Sequence, residues 1–301
     1  MKARSLLERI AKSISTATGN PFTASSSAPV TGGCIHEAWK VEGKTRDAAQ
    51  AYFAKVGDVG NLPMFVAESE GLEAIDAAAA VRTPAVVVHG DDGERAWLVL
   101  EWLELHPLDG PAAARLGASL AAQHRVAQAR FGWANDNFIG ASPQSNGWSD
   151  DWLAFWRERR LMAQLRMAAR KRLPSKMIDR GERLAADCGE FFRGYQPARS
   201  LLHGDLWAGN AASLEDGSAL VFDPAVYVGD READIAMTEL FGGFPPDFLA
   251  AYRAAWAPHD DYRVRRDLYN LYHVLNHSNL FAGTYVRQAE VAIERLLSEV
   301  G

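Results

Sequence analysis

Strand-type segments crowd into the first third of this chain and helix-type segments fill the rest. That partition limits the possible folds more than any other feature. "CIHEAWKVEG" and "AQAYFAKVG" read as strands joined by a polar turn around residues 44–47, and "PAVVVHG" and "AWLVLEWLEL" are strand-like. Between these pairs, "MFVAESEGLEAIDAAAA" reads as a helix, and residues 5–15 as a short amphipathic one. The stretch "STATGNPFTASSSAPVTGG" has too few apolar residues for a core element and carries strong turn signals. From about Pro111 the pattern is mainly helical, and no internal repeat is visible. Strands first and helices later predict an α+β chain of two lobes, a small sheet-rich one over residues 1–103 and a larger helical one over residues 104–301.

One segment interrupts the helical part. In "LLHGDLWAGNAASLEDGSALVFDPA", residues 211–214 and 218–222 form the arms of a predicted hairpin, with Glu215, Asp216 and Gly217 as the turn. Folding the segment in half brings Asn210 and Asp223 side by side at its open end, with Asp205 on the loop just before. Two carboxylates and an amide oxygen without thiolates suit a hard cation such as Mg²⁺ shared with substrate phosphates. One Asp or Asn near a turn is ordinarily just an Asx turn. Three at this spacing, after His203 and Gly204, follow the order of a protein kinase: a catalytic aspartate, a metal-binding asparagine five residues on, and a metal-binding aspartate after a hairpin.

A site of that kind needs a strand lysine that holds the nucleotide phosphates and a helix glutamate that holds the lysine. Lys55 ends a strand. Of Glu68, Glu70 and Glu73, only Glu68 shares the stripe of Phe65, Leu72, Ile75 and Ala79, about 80° wide at helical spacing. A carboxylate on an apolar face calls for a partner, and Lys55 is the natural one. Gly32 and Gly33 precede the lysine strand, where a phosphate-covering loop is expected. "WLVLEWLEL" ends where the lobes should join, so backbone groups around Glu101, Trp102 and Leu103 are candidates for holding adenine.

Composition narrows the class. The net charge is -6 with a pI near 5.8, which argues against a nucleic-acid binder. Two cysteines, Cys34 and Cys188, make neither a disulfide scaffold nor a zinc site. The first residues lack a signal-peptide core and no stretch has the ~18 apolar residues of a membrane span, so a cytoplasmic protein is expected. His273 and His277 lie four apart on a predicted helix, where packing is the expected role. "WRERRLMAQLRMAARKR" reads as a solvated helix face.

"HGDLWAGN", "VFDPAVYVGDREADIAM" and the "GGCI" loop resemble the fructosamine kinase, or ketosamine-3-kinase, family of the wider group that includes aminoglycoside phosphotransferases and choline kinases. The resemblance runs from Thr31 to "LYHVLNHSNLFAG". It implies a two-lobed protein-kinase-like fold and ATP- and Mg²⁺-dependent phosphorylation of the 3-hydroxyl of ketosamines, free or on glycated proteins. The phosphorylated sugar is unstable and releases its amine. Bacterial members look more like ribulosamine or erythrulosamine kinases than fructosamine kinases.

The resemblance makes Asp205 the catalytic base, Asn210 and Asp223 the metal ligands, and Lys55 with Glu68 the phosphate-holding pair. Asp234 braces the catalytic loop, and His203 and Trp207 are candidate acceptor contacts. Cys34 occupies the place of a redox-sensitive cysteine in some members, so a monomer or a redox-linked dimer is implied. Many members have asparagine where this chain has His36, which is therefore given no acceptor role. Two alternatives stand beside this reading: an aminoglycoside- or choline-type kinase, and a catalytically silent nucleotide-binding regulator. "GDRE" and Trp207 argue against the first, and the complete set of five site residues against the second.

Overall fold

The computed structural model describes residues 2–31, 36–46 and 48–300. Its first element is helix α1 (Lys2–Thr18), followed by strands β1 (Thr23–Pro29), β2 (Glu37–Lys44) and β3 (Ala49–Asp58). Helix α2 (Leu62–Ala77) leads to β4 (Val86–Asp91) and β5 (Arg95–Glu101). The five strands pair antiparallel in the order β1-β2-β3-β5-β4. The serine-rich stretch expected to lack a core element supplies β1. It does so as an edge strand with nearly all its side chains exposed, because an edge needs backbone pairing on one side and little apolar burial.

Alternation along β3 and β5 divides the sheet into two apolar faces. Tyr52, Ala54, Val56, Trp97 and Val99 pack under Leu6, Ile10 and Ile14 of α1. Phe53, Ala96, Leu98 and Leu100 meet Phe65 and Leu72 of α2 on the other face. Lys55 has the parity of Phe53, so the pleat turns it toward α2. That parity places the site.

The second part is helical: α3 (Gly110–His124), α4 (Trp152–Phe155) running through a π-helical turn into α5 (Met162–Arg170), α6 (Ser175–Asp187), α7 (Glu232–Leu240), α8 (Pro246–Trp256), α9 (Tyr262–Phe281) and α10 (Thr284–Val300). Three small antiparallel pairs interrupt it: β6 (Asn137–Ile139) with β7 (Ser142–Gln144), β8 (Arg199–Leu202) with β11 (Tyr227–Asp230), and β9 (Ala211–Ser213) with β10 (Ala219–Val221). One apolar cluster lies wholly within this part, around Trp156, Tyr269, Tyr272 and Leu275. Another joins Ile75 and Val81 to Leu116, Leu201, Val221 and Phe248, tying the end of α2 to the hairpin region.

The basic stretch at 156–172 departs from the expected solvated face. Arg160 is fully buried, its guanidinium 4.0 Å from the centre of the Tyr227 ring. It donates to Ser145 O at 2.6 Å and Asn146 Oδ1 at 2.8 Å. The π-helical turn at Trp156–Leu161 shifts the register of the helix just there, so the charge pattern alone misplaced this one residue. No described helix is long and apolar enough to cross a membrane.

Candidate active site

Lys55 Nζ lies 2.7 and 2.8 Å from the two carboxylate oxygens of Glu68 and 2.7 Å from Asp223 Oδ1. The pairing expected from the helical stripe is therefore present, and Asp223 joins it from the other lobe. Glu70, on a different face, accepts from the exposed Asn135 amide at 3.3 Å. The stripe itself stops earlier than expected: α2 ends at Ala77, and Ala79 has positive φ. Burial works against the charge on Lys55, but the Asp223 and Glu68 carboxylates outweigh it and hold the ammonium well above the ordinary lysine range. Burial and then Asp223 push the Glu68 carboxyl up, with Lys55 opposing them.

Asp205 follows β8 on a loop held from beneath. Asp234, on the first turn of α7, accepts the backbone N–H of His203 at 2.8 Å and of Gly204 at 2.9 Å. His124 Nε2 lies 3.2 Å from the same carboxylate, and His124 Nδ1 is 2.9 Å from Tyr252 Oη. Gly204 has φ +82°, and a Cβ there would come 2.1 Å from Ala225 O, so only glycine fits this close approach. The Asn210 amide donates to Asp205 O at 2.9 Å, which fixes its nitrogen and leaves Oδ1 as its acceptor. Phe222 N–H donates to Asn210 O at 3.1 Å, closing the hairpin so that Asp223 follows beside Asn210. Asp223 has φ +56°, a left-handed conformation that aspartate tolerates better than most residues. Burial, then Asp223 and Asp234, push the Asp205 carboxyl up to about 7, opposed by the Asn210 hydrogen bond.

The remaining predicted residues fall into three groups. His203, expected to touch an acceptor, is buried with both ring nitrogens engaged. Nδ1 accepts Asp205 N–H at 3.3 Å, and Nε2 donates to Phe222 O at 3.0 Å. Its geometry is that of a brace inside the loop. Trp207 is 40% exposed, and its ring covers Gly209, where a Cβ would come 2.1 Å from it. Glu101 closes β5, donating its N–H to Ala85 O at 2.9 Å and accepting Ala85 N–H on its side chain at 3.1 Å. Trp102 and Leu103 follow outside the sheet, the Trp102 ring lying under Lys40 Nζ at 4.6 Å. Gly32, Gly33 and Cys34 lie outside the described residues.

Two supports were absent from the sequence reading. His124 is a lone histidine ending a helix, with nothing nearby in sequence to link it to Asp234, 110 positions away. Gln144, on a three-residue strand, donates to Ala225 O at 3.0 Å and accepts from Tyr272 Oη at 2.8 Å. Strands that short carry no readable period.

A five-stranded sheet with a lysine–glutamate pair, facing a helical lobe whose loops carry Asp205, Asn210 and Asp223, defines a protein-kinase-like phosphotransferase. The chain belongs to the fructosamine kinase family, whose model matches residues 6–299. It is 41% identical over 295 residues to a probable ketoamine kinase of Synechocystis sp., a match covering 96% of each chain. Among solved structures, a putative fructosamine-3-kinase of Haemophilus somnus superposes with a TM-score of 0.85 at 26% identity, covering 96% of both chains. Choline kinase LicA of Streptococcus pneumoniae, at 15% identity, covers 98% of this chain and 99% of its own with a TM-score of 0.61, a likeness of fold alone. The protein is thus an ATP-dependent kinase of the ketosamine type.

Proposed function

We propose that this kinase transfers the γ-phosphoryl group of ATP to the 3-hydroxyl of a ketosamine, a ribulosamine, erythrulosamine or fructosamine on a free or protein-bound amine. Loss of the unstable phosphorylated sugar then frees the amine, so the net result is deglycation. The observation that carries the reading is the Lys55 ammonium set between Glu68 and Asp223, within 2.8 Å of each. It joins a phosphate-holding group to the loop that follows Asp205 and Asn210.

In this reading Asp205 is the general base. It accepts the hydroxyl proton as the sugar oxygen bonds to the γ-phosphorus and the bond to the ADP oxygen breaks. A carboxyl raised to about 7 takes a proton far more readily near neutral pH than an ordinary aspartate does. Asn210 and Asp223 are the residues that would hold Mg²⁺. The fit rests on their donors: the Asn210 nitrogen is committed to Asp205, so oxygen is what it offers, and Asp223 adds a partly exposed carboxylate. When bound, the ion supplies neutralisation of the charge that develops on the phosphates. Lys55 neutralises phosphate charge from the sheet side, and Glu68 keeps it in place. Backbone groups at Glu101 and Leu103 hold adenine at the junction of the lobes, which we place near residue 103. Trp207 stands over the acceptor.

The test is ADP release with ribulosyl-lysine, erythrulosyl-lysine, fructosyl-lysine and an aminoglycoside side by side. Turnover on at least one ketosamine and none on the aminoglycoside is expected. The reverse pattern would replace the substrate class while leaving the fold argument untouched.

A further inference from the structure

A cavity of about 860 Å³ opens behind the catalytic loop, walled by the C-terminal ends of α3 and α8, the start of α4 and the segment leading into β8. It shares no residue with the Lys55, Glu68, Asp205, Asn210 and Asp223 set. Its volume lies within the range of small-molecule sites, roughly 300–1,000 Å³.

The walls have a definite chemistry. Arg125 lies over the Trp256 ring at 5.3 Å, and Arg199 over Phe131 at 5.3 Å. Arg125 donates to Ala255 O, and among the described residues neither guanidinium has a carboxylate partner. Two exposed carboxylates also stand in the lining. Asp150 pairs with Arg130 at 3.0 Å, and Asp151 accepts Ala154 N–H at the start of α4. Two guanidiniums, each 5.3 Å from an aromatic ring, with Arg231 over the Trp256 ring as well at 4.0 Å, suit an oxyanion attached to a flat apolar body.

The back wall connects to the catalytic loop. His124 lines the cavity and contacts Asp234, which holds the N–H groups of His203 and Gly204. Tyr195 and Trp152 line it too: Tyr195 Oη donates to Asp230 at 3.0 Å, and Trp152 Nε1 donates to Tyr269 Oη, which donates to Asp230 at 2.6 Å. Arg199 begins β8, the strand that runs directly into His203, Gly204 and Asp205.

We propose that this cavity is a second ligand site that takes a small organic anion, an aryl-type phosphate or carboxylate, and that its occupancy alters catalysis through β8 and the His124–Asp234 contact. The direct test is calorimetry of phenyl phosphate, phenol and inorganic phosphate on the full chain without nucleotide or Mg²⁺. Phenyl phosphate should bind at least ~10-fold more tightly than either fragment, since only it meets both the arginines and the rings. R125Q/R199Q should weaken that binding by ~10-fold or more, while Asp223→Ala, in the other site, leaves it intact. R125K/R199K should recover part of the affinity, which separates lost charge from lost packing. Saturating phenyl phosphate should also change kcat or KM for ATP in the wild type and not in R125Q/R199Q. Binding that survives R125Q/R199Q, or that Asp223→Ala removes, would overturn the site. Binding with unchanged kinetics would overturn its link to catalysis.

Discussion

Lys55 and Asp205 face the same reaction but are held in opposite ways. Lys55 projects from a sheet into a cluster of opposite charges, and its position depends on Glu68 and Asp223. Asp205 sits on a loop whose backbone is fastened by a buried carboxylate, a buried histidine and a glycine that touches Ala225. The lysine side is set by charge, with Lys55 and Glu68 largely buried and Asp223 partly open to solvent. The aspartate side is set by buried hydrogen bonds, so disturbing its supports also costs stability. The ion pair that joins them is Lys55 with Asp223.

The largest effect is expected at Asp205 itself. Asp205→Asn keeps the loop but removes the base, and turnover should fall by ~10²–10⁴-fold with ATP binding largely intact. Single-turnover phosphoryl transfer measures it, and near-normal rates would take Asp205 out of the chemistry.

One layer down, Asp234→Ala strands the N–H groups of His203 and Gly204 in a buried site. A loss of about 2–4 kcal/mol in unfolding free energy is expected together with lost activity. Lys55→Ala should lose activity with a much smaller stability change. Equal stability losses for both variants by urea denaturation would erase the distinction between the two regions.

Much of the site was legible because its signals are local. Asp205, Asn210 and Asp223 lie on one hairpin and the loop just before it, and Glu68 differs from Glu70 by helical angle alone. The pleat parity of Lys55 follows from its neighbours Phe53 and Ala54. The brace Asp234 came from the resemblance alone and His124 was missed, for one physical reason: Asp234 holds its loop across 31 positions and His124 reaches Asp234 across 110. Nothing in either segment's period records such a contact. Arg160 was misread because a π-helical turn breaks the regular spacing on which a helical face is assigned. The edge strand β1 escaped because edge pairing leaves no apolar pattern.

A finer test on the charge-held side is a double-mutant cycle. Lys55→Ala and Glu68→Ala should each damage activity, and the pair should fall short of the summed effects by more than ~0.5 kcal/mol, since the two act as one unit. Glu70→Ala should be nearly silent. An essential Glu70 with a dispensable Glu68 would refute the helical-face assignment.

The smallest effect concerns pH on the scaffold side. Asp230 accepts from Tyr195, Tyr269 and Glu232 N–H, and burial, then Glu232, push its carboxyl from 3.8 up to about 6. A raised carboxyl stabilises the fold most when protonated, below its unfolded value, and that contribution fades as pH rises through about 6. The stability of Asp230→Asn relative to wild type should therefore shift toward the variant between pH 4 and 6 and level off above. Denaturation at a series of pH values reads this directly, and a constant difference would show that Asp230 does not titrate there.

Because Asp223 forms the ion pair that joins the two regions, MgATP calorimetry on Asp223→Ala, with Glu70→Ala as control, is the most direct test of the hairpin's role. Asp223→Ala should lose Mg²⁺-dependent nucleotide binding while Glu70→Ala keeps the wild-type affinity. Unchanged MgATP affinity in Asp223→Ala would contradict the assignment of the hairpin as the metal and phosphate site.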